Sequence, residues 1–202
     1  MENFKIVWSS RSECGPSREK NEDSIYPKHS GSSLPPFKAS VCDGLGGHVS
    51  GDVASKIASE TLNLEIENLH EIITTANNNI LEFQNDNPES QGMGTTMTVI
   101  SIDKNALMKI GHVGDSRCYV LSDRNLIKIT EDQNVPGYQN VLKQALGSKE
   151  KLIVQEIDFQ LKVGDEYIKR KMQDGISAET IVSEVLLLNP KDNVSAIVVN
   201  LI

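Results

Sequence analysis

Residues 40–60, SVCDGLGGHVSGDVASKIASE, decide how the chain is built. The apolar run FKASVCD at 37–43 stops on Asp43, a glycine-rich turn follows, and a helical pattern starts near Asp52. The run reads as a strand. Beyond it, Val53, Ile57, Leu62, Ile66, Leu69, Ile73 and Ile80 fall at helical spacing. That pattern predicts one long helix from Asp52 to Phe83, or two in succession broken around ENLHE at 67–71. A strand that ends on a carboxylate beside glycines has two readings. It is a plain strand-to-helix turn, or it is a charged site built where the chain leaves the core.

Working outward, FKIVW at 4–8 reads as a first strand and residues 9–24, SSRSECGPSREKNEDS, as a polar, turn-rich segment. KHSGSSLPP at 28–36 reads as a loop, and NDNPESQG at 85–92 closes the helical region with a proline and a glycine. Strand patterns then crowd together at 95–103, 106–114, 117–123 and 126–130. Their short separations imply antiparallel hairpins rather than crossovers. YQNVLKQALGS at 138–148 predicts a short helix, 152–161 a strand, 177–188 a helix and 193–202 a closing strand. The sum is an α+β fold with antiparallel sheet and segregated helices.

A chain of 202 residues suits one domain, or one domain with a small appendage, and can bury a substantial core. A net charge of −8 and a pI near 5.0 disfavour nucleic acid and anionic membrane as partners. An acidic protein that handles phosphate needs another source of positive charge, and a bound metal ion is the obvious one. Cys14, Cys42 and Cys118 form no C-x-x-C pair, so neither a disulfide framework nor a zinc site is expected. The start, MENFKIVWSSRSE, lacks the pattern of a signal peptide. No apolar run approaches the roughly 18 residues of a membrane helix. A soluble protein of the reducing cytoplasm is the expectation.

Four acidic clusters share one grammar. REKNEDS supplies Arg18, Glu22 and Asp23; CDGLGG supplies Asp43; VGDSR supplies Asp115 in a tight turn; PKDNVSAIVV supplies Asp192 ahead of the last strand. Any one of them alone is an ordinary turn sequence. Four carboxylates gathered at one sheet edge would repel one another unless a cation neutralised them. Hard divalent cations take carboxylate, carbonyl and water oxygens.

In order, the motifs REKNED, VCDGLGGH, GMGTT, HVGDSR, QALG, GD and DNVSAIVV closely resemble the PPM-type metal-dependent serine/threonine protein phosphatases, the protein phosphatase type 2C family, in its compact bacterial form. The matches run from about residue 8 to the carboxyl terminus. The resemblance implies two antiparallel sheets packed face to face and flanked on both sides by helices. It also implies a centre of two, or with a weaker third site three, Mn²⁺ or Mg²⁺ ions. Carried over by position, Asp43 would bridge two metals, Glu22 and the Gly44 carbonyl would hold one and Asp192 the other. Asp23 would act through bound water, Asp115 would serve the third metal, and Arg18 would grip the substrate phosphate. The implied reaction is dephosphorylation of phosphoserine and phosphothreonine in proteins, by direct attack of a metal-bridging hydroxide on phosphorus. The implied protein is a monomer that opposes a serine/threonine kinase.

Three residues invite roles that the sequence does not support. His48 is not the residue directly after Asp-Gly, where family members that use a histidine carry it; that position is Leu45. His112, in a strand, and Cys42, beside Asp43, read as packing residues. The pattern also breaks. The acidic segment that the family carries a few residues after Gly164-Asp165 is missing beyond Tyr167, and Asp174-Gly175 reads as a turn between helices. The stretch ITEDQNVPGYQNVL at 129–142 lacks most of the family's flap. The missing acidic segment supports an alternative, a catalytically weak or inactive phosphatase-like module that binds a partner.

Overall fold

The structure, a computed structural model, describes residues 4–45, 50–122, 125–163 and 176–202. In chain order the strands are β1 (Ile6–Glu13), β2 (Asp23–Tyr26), β3 (Gly31–Ser33), β4 (Phe37–Asp43), β5 (Met97–Ile102) and β6 (Leu107–Val113). They continue as β7 (Tyr119–Ser122), β8 (Asn125–Lys128), β9 (Asn134–Val135), β10 (Tyr138–Leu142), β11 (Gln155–Gln160) and β12 (Val194–Leu201). The helices are α1 (Gly51–Glu60), α2 (Leu69–Asp86) and α3 (Ala178–Leu187).

Two antiparallel sheets carry the molecule. One has the order β11-β6-β5-β4-β2 and the other β12-β1-β3, and β7-β8 and β9-β10 are separate hairpins. Side chains alternate along each strand, so each sheet serves two layers. On β5, Met97 and Val99 face α1 and α2, where they join Cys42, Ala54, Ile72 and Ile80. Ile100 and Ile102 face the other way and meet Phe37, Ile110 and Ile6 in a core between the sheets. Helix α3 covers the opposite side, on β1 and β12, with Ala178 and Val182 buried. The layers therefore run helix, sheet, sheet, helix, as expected for the α+β sandwich.

The helical region breaks where the pattern weakens. α1 ends in a 3-10 turn at Thr61–Asn63, Leu64 is extended, and the Asn68 side chain caps α2 by accepting from the Glu71 N–H. An Asn cap of this kind contributes about 1 kcal/mol to the helix it starts.

Three local expectations are corrected. β1 continues through the polar residues to Glu13, because β12 pairs with it over its whole length, from Ile6 opposite Leu201 to Glu13 opposite Val194. The predicted loop at 28–36 contains β3, which pairs with the start of β1. The predicted helix at 138–148 begins instead as strand β10, folded back on β9. Pro136 and Gly137, the latter at φ +83, form the Pro-Gly turn that turns this segment into a hairpin.

The inward faces of the strands change character along the seam between the sheets. β1 presents Ile6 and Trp8 at one end and Ser12 at the other; β12 presents Leu201, Val199 and Ile197, then Ser195. On β4, Phe37 and Ala39 give way to Asp43. The apolar end holds the sheets together and the polar end is where the carboxylates arrive. Ile6, fully buried at the apolar end, is the direct check on this division. Ile6→Ala is expected to lower stability by about 2–5 kcal/mol in urea unfolding.

Candidate active site

Asp23 opens β2 and Asp43 closes β4, and the register places them directly opposite each other. Like charges facing across an antiparallel pair destabilise the sheet. Burial is the main cause that raises the Asp43 carboxyl, pushed up to about 8, and the charges of Asp23, Asp192 and Asp115 add to it. Burial also raises Asp23, with Asp192 adding and a hydrogen bond from Ser195 opposing. Glu22 is raised by burial too, and Arg18 opposes the shift.

The surrounding chain holds these groups in place. The Asp43 N–H donates to Thr96 Oγ1 at 3.0 Å, and Thr95 Oγ1 donates to the Asp43 carbonyl at 2.9 Å. Thr96 Oγ1 also lies 2.7 Å from Ser116 Oγ, which ties β4 to the turn that carries Asp115. That turn needs Gly114, whose φ is +111 and where a Cβ would come within 2.6 Å of the Thr96 side chain. Asp115 itself accepts from Asn134 Nδ2 at 3.0 Å. At Gly44 a Cβ would lie 2.3 Å from the Gly51 carbonyl oxygen and 2.6 Å from that of Glu22, so only glycine lets these three segments meet.

The loop before β12 closes the group. Asn193 Oδ1 accepts from the Glu22 N–H at 3.0 Å, and Asn193 Nδ2 donates to the Lys20 carbonyl at 3.1 Å. Arg18 reaches from the other side. Its Nη2 is 2.9 Å from Asp192 Oδ1, its Nη1 is 3.7 Å from Glu22 Oε2, and its Nε donates to the Lys191 carbonyl at 3.2 Å. Arg18, Glu22, Asp23, Asp43, Gly44 and Asp192 are thus brought together, and Asp115 acts on Asp43 from the neighbouring turn.

All of the acidic donors here are oxygens, the set that hard divalent cations take. The neighbouring carboxylates that add to the rise at Asp43 are charges a cation would relieve, and Arg18 opposes the rise at Glu22 and Asp23. Among the described residues no three acidic, histidine or cysteine side chains converge on one point at ligand spacing. The donor chemistry fits a divalent cation, with the Arg18 guanidinium lying between Glu22 and Asp192.

His112 is buried, with Nδ1 2.8 Å from Thr98 Oγ1 and Nε2 3.1 Å from the Glu131 carbonyl; burial holds its pKa below the ordinary value. Cys42 is fully buried against the helices, which pushes its thiol up to about 12. Both are packing residues, as expected. His48, Gly164-Asp165, Tyr167 and Asp174-Gly175 lie outside the described residues. Reading the sequence assigned no part to Thr95, Thr96, Asn134, Asn193 or Ser195. All but Asn134 sit inside the quoted motifs, which were the available signal.

The protein phosphatase 2C family model matches residues 11–137. The chain belongs to the protein phosphatase 2C family. It is 35% identical over 136 residues to the serine/threonine protein phosphatase PstP of Mycobacterium tuberculosis, a match that covers 63% of this chain. The same match spans only 25% of that relative's length. In fold, the chain superposes on the crystal structure of Mycobacterium tuberculosis PstP/Ppp with a TM-score of 0.81, at 24% identity, covering 97% of this chain and 98% of that one. It also superposes on the catalytic domain of a serine/threonine protein phosphatase PstP in complex with two manganese ions, with a TM-score of 0.79, at 25% identity. That likeness covers 98% of this chain and 99% of the other.

The Asp43 shift gives the site a pH signature. A carboxyl raised from 3.8 to about 8 on folding stabilises the native state fully below about pH 4, and that contribution is lost as pH rises through 8. In chelator, Asp43→Asn is expected to unfold at a higher temperature than the parent protein at pH 8–9. The difference should narrow as pH falls and close by about pH 4. Calorimetric scans of both proteins across that range check it, and parallel curves would contradict it.

Proposed function

We propose that the chain is a metal-dependent phosphatase acting on phosphoserine and phosphothreonine in proteins. The observation that carries this reading is the facing pair Asp23 and Asp43 at the polar end of the seam, with Glu22, Asp192 and Arg18 drawn up around it. Membership of the protein phosphatase 2C family supports it, and so do the two manganese ions in the PstP catalytic-domain structure.

In this reading Asp43, Glu22, the Gly44 carbonyl and Asp192 would hold two ions, Asp23 would act through water, and Asp115 would serve a third. Bound Mn²⁺ or Mg²⁺ supplies Lewis acidity and a water acidified to near neutrality as the nucleophile. Arg18 binds the phosphate. Its planar fork, which spans two carboxylates here, also matches two phosphate oxygens, which a lysine could not do. Thr95 and Thr96 fix the Asp43 backbone, so the carboxylate is aimed before substrate arrives. Asn193 does the same for the backbone at Glu22.

We read residues 1–202 as one catalytic domain, working as a monomer in the cytoplasm on phosphoprotein produced by a serine/threonine kinase. Among the described residues no helix is long and apolar enough to cross a membrane.

Phosphate release from a phosphothreonine peptide, followed with and without Mn²⁺, tests the reading. Release is expected only with the metal, and Asp43→Ala should cut it by about 100-fold or more. Arg18→Ala should lower kcat/KM by about 10–100-fold, the worth of a charged hydrogen bond to phosphate. A chain that releases no phosphate with Mn²⁺ would overturn the proposal and favour a binding module.

A further inference from the structure

Asp23 is enclosed by hydroxyl groups that the reaction does not itself require. Its N–H donates to Asn21 Oδ1 at 3.1 Å, and Asn21 Nδ2 donates to Ser12 Oγ at 2.8 Å. Ser12 Oγ lies 2.8 Å from Ser195 Oγ, and Ser195 Oγ donates to Asp23 Oδ2 at 2.6 Å. The four contacts form a closed ring that begins and ends on Asp23.

The amide nitrogen of Asn21 can only donate and the Asp23 carboxylate accepts. Ser195 Oγ is placed as donor towards both Ser12 Oγ and Asp23 Oδ2, and the charged carboxylate is the stronger acceptor of its one proton. With Oδ2 held, the carboxylate cannot turn about its last bond without breaking the ring, and its other oxygen is presented in one direction.

Packing alone does not account for these serines. Ser12 and Ser195 are register partners on the inward face of β1 and β12, where their strand-mates are Ile6, Trp8, Ile197, Val199 and Leu201. An apolar residue would suit that face equally well and bury more apolar surface. The ring also crosses the seam, because the serines belong to the three-stranded sheet and Asp23 to the five-stranded one. The docking of the two sheets therefore sets where the Asp23 carboxylate points.

We propose that Ser195 and Ser12, with Asn21, are positioning residues that aim Asp23 at the metal centre through this ring. The inference rests on the phosphatase reading and deepens it. Removal of outer partners of this kind typically costs 10–100-fold in metal affinity or activity.

Titration calorimetry of the full chain with Mn²⁺ tests it, using the parent protein, Ser195→Ala, Ser195→Thr, Ser12→Ala and Asp23→Asn. Ser195→Ala is expected to bind Mn²⁺ about 10-fold more weakly or worse. Ser195→Thr, which keeps the hydroxyl, should bind close to the parent value. Ser12→Ala should weaken binding in the same direction by a smaller factor. Placed on the Asp23→Asn background, Ser195→Ala should add no further loss, since its effect passes through that carboxylate. Circular dichroism identifies any variant that fails to fold, and the Thr and Ser12 variants then carry the test. Parent-like Mn²⁺ affinity in folded Ser195→Ala would overturn the positioning role and leave the phosphatase reading standing, as would an additive loss in the double variant. A parent protein that takes up no Mn²⁺ would overturn both.

Discussion

The structure turns on one electrostatic constraint: carboxylates from four separate segments lie close enough to act on one another at one end of a seam between two sheets. Left alone, Asp23 and Asp43 would push β2 and β4 apart, since they face each other in the ladder. Most of what surrounds them holds backbone, and Ser195 donates to the Asp23 carboxylate directly. The threonines of GMGTT clamp Asp43, Asn193 clamps the backbone at Glu22, and the absence of a side chain at Gly44 lets three segments touch. Arg18 is the charge that answers the acids directly. A local rule broken here, with compensation from several distant segments, supports the proposed site.

The seam explains how one fold carries both a core and a site. Its inward residues are Ile6, Trp8, Phe37 and Ile110 towards one end, where apolar burial supplies the stability. The same strands, followed towards the other end, present Ser12, Ser195, Asp23 and Asp43. The strands themselves bring Asp23 and Asp43 together, and the loop before β12 and the turn after β6 add Asp192 and Asp115. The period of two that buries the apolar residues also points Asp43 into the seam, three alternations after Phe37. The helices lie outside this arrangement and stiffen it: α1 and α2 back the large sheet and α3 backs the small one.

Much of this was legible in the sequence, and what was missed has physical causes. β4, β5, β6 and β11 carry alternating apolar residues and were read directly. The second half of β1 was not, because its inward residues are serines and the strand that pairs with it is almost the whole chain away. β10 was read as a helix because Val141, Leu142 and Leu146 fall near helical spacing. The Pro-Gly turn before it and its pairing with β9 outweigh that pattern. At the site, Asp43 and Asp115 stand out beside glycines, and Glu22, Asp23 and Asp192 stand out only through the ordered motifs that carry them. Their partners do not. Ser12, Ser195 and Asn134 are common polar residues whose meaning comes only from the register and the turn that place them next to an acid.

The most direct test of the account is anomalous diffraction from crystals grown with Mn²⁺. Two manganese peaks are predicted within about 4 Å of each other, both in contact with the Asp43 carboxylate at the polar end of the seam. Manganese found elsewhere on the surface, with none at Asp43, would contradict it.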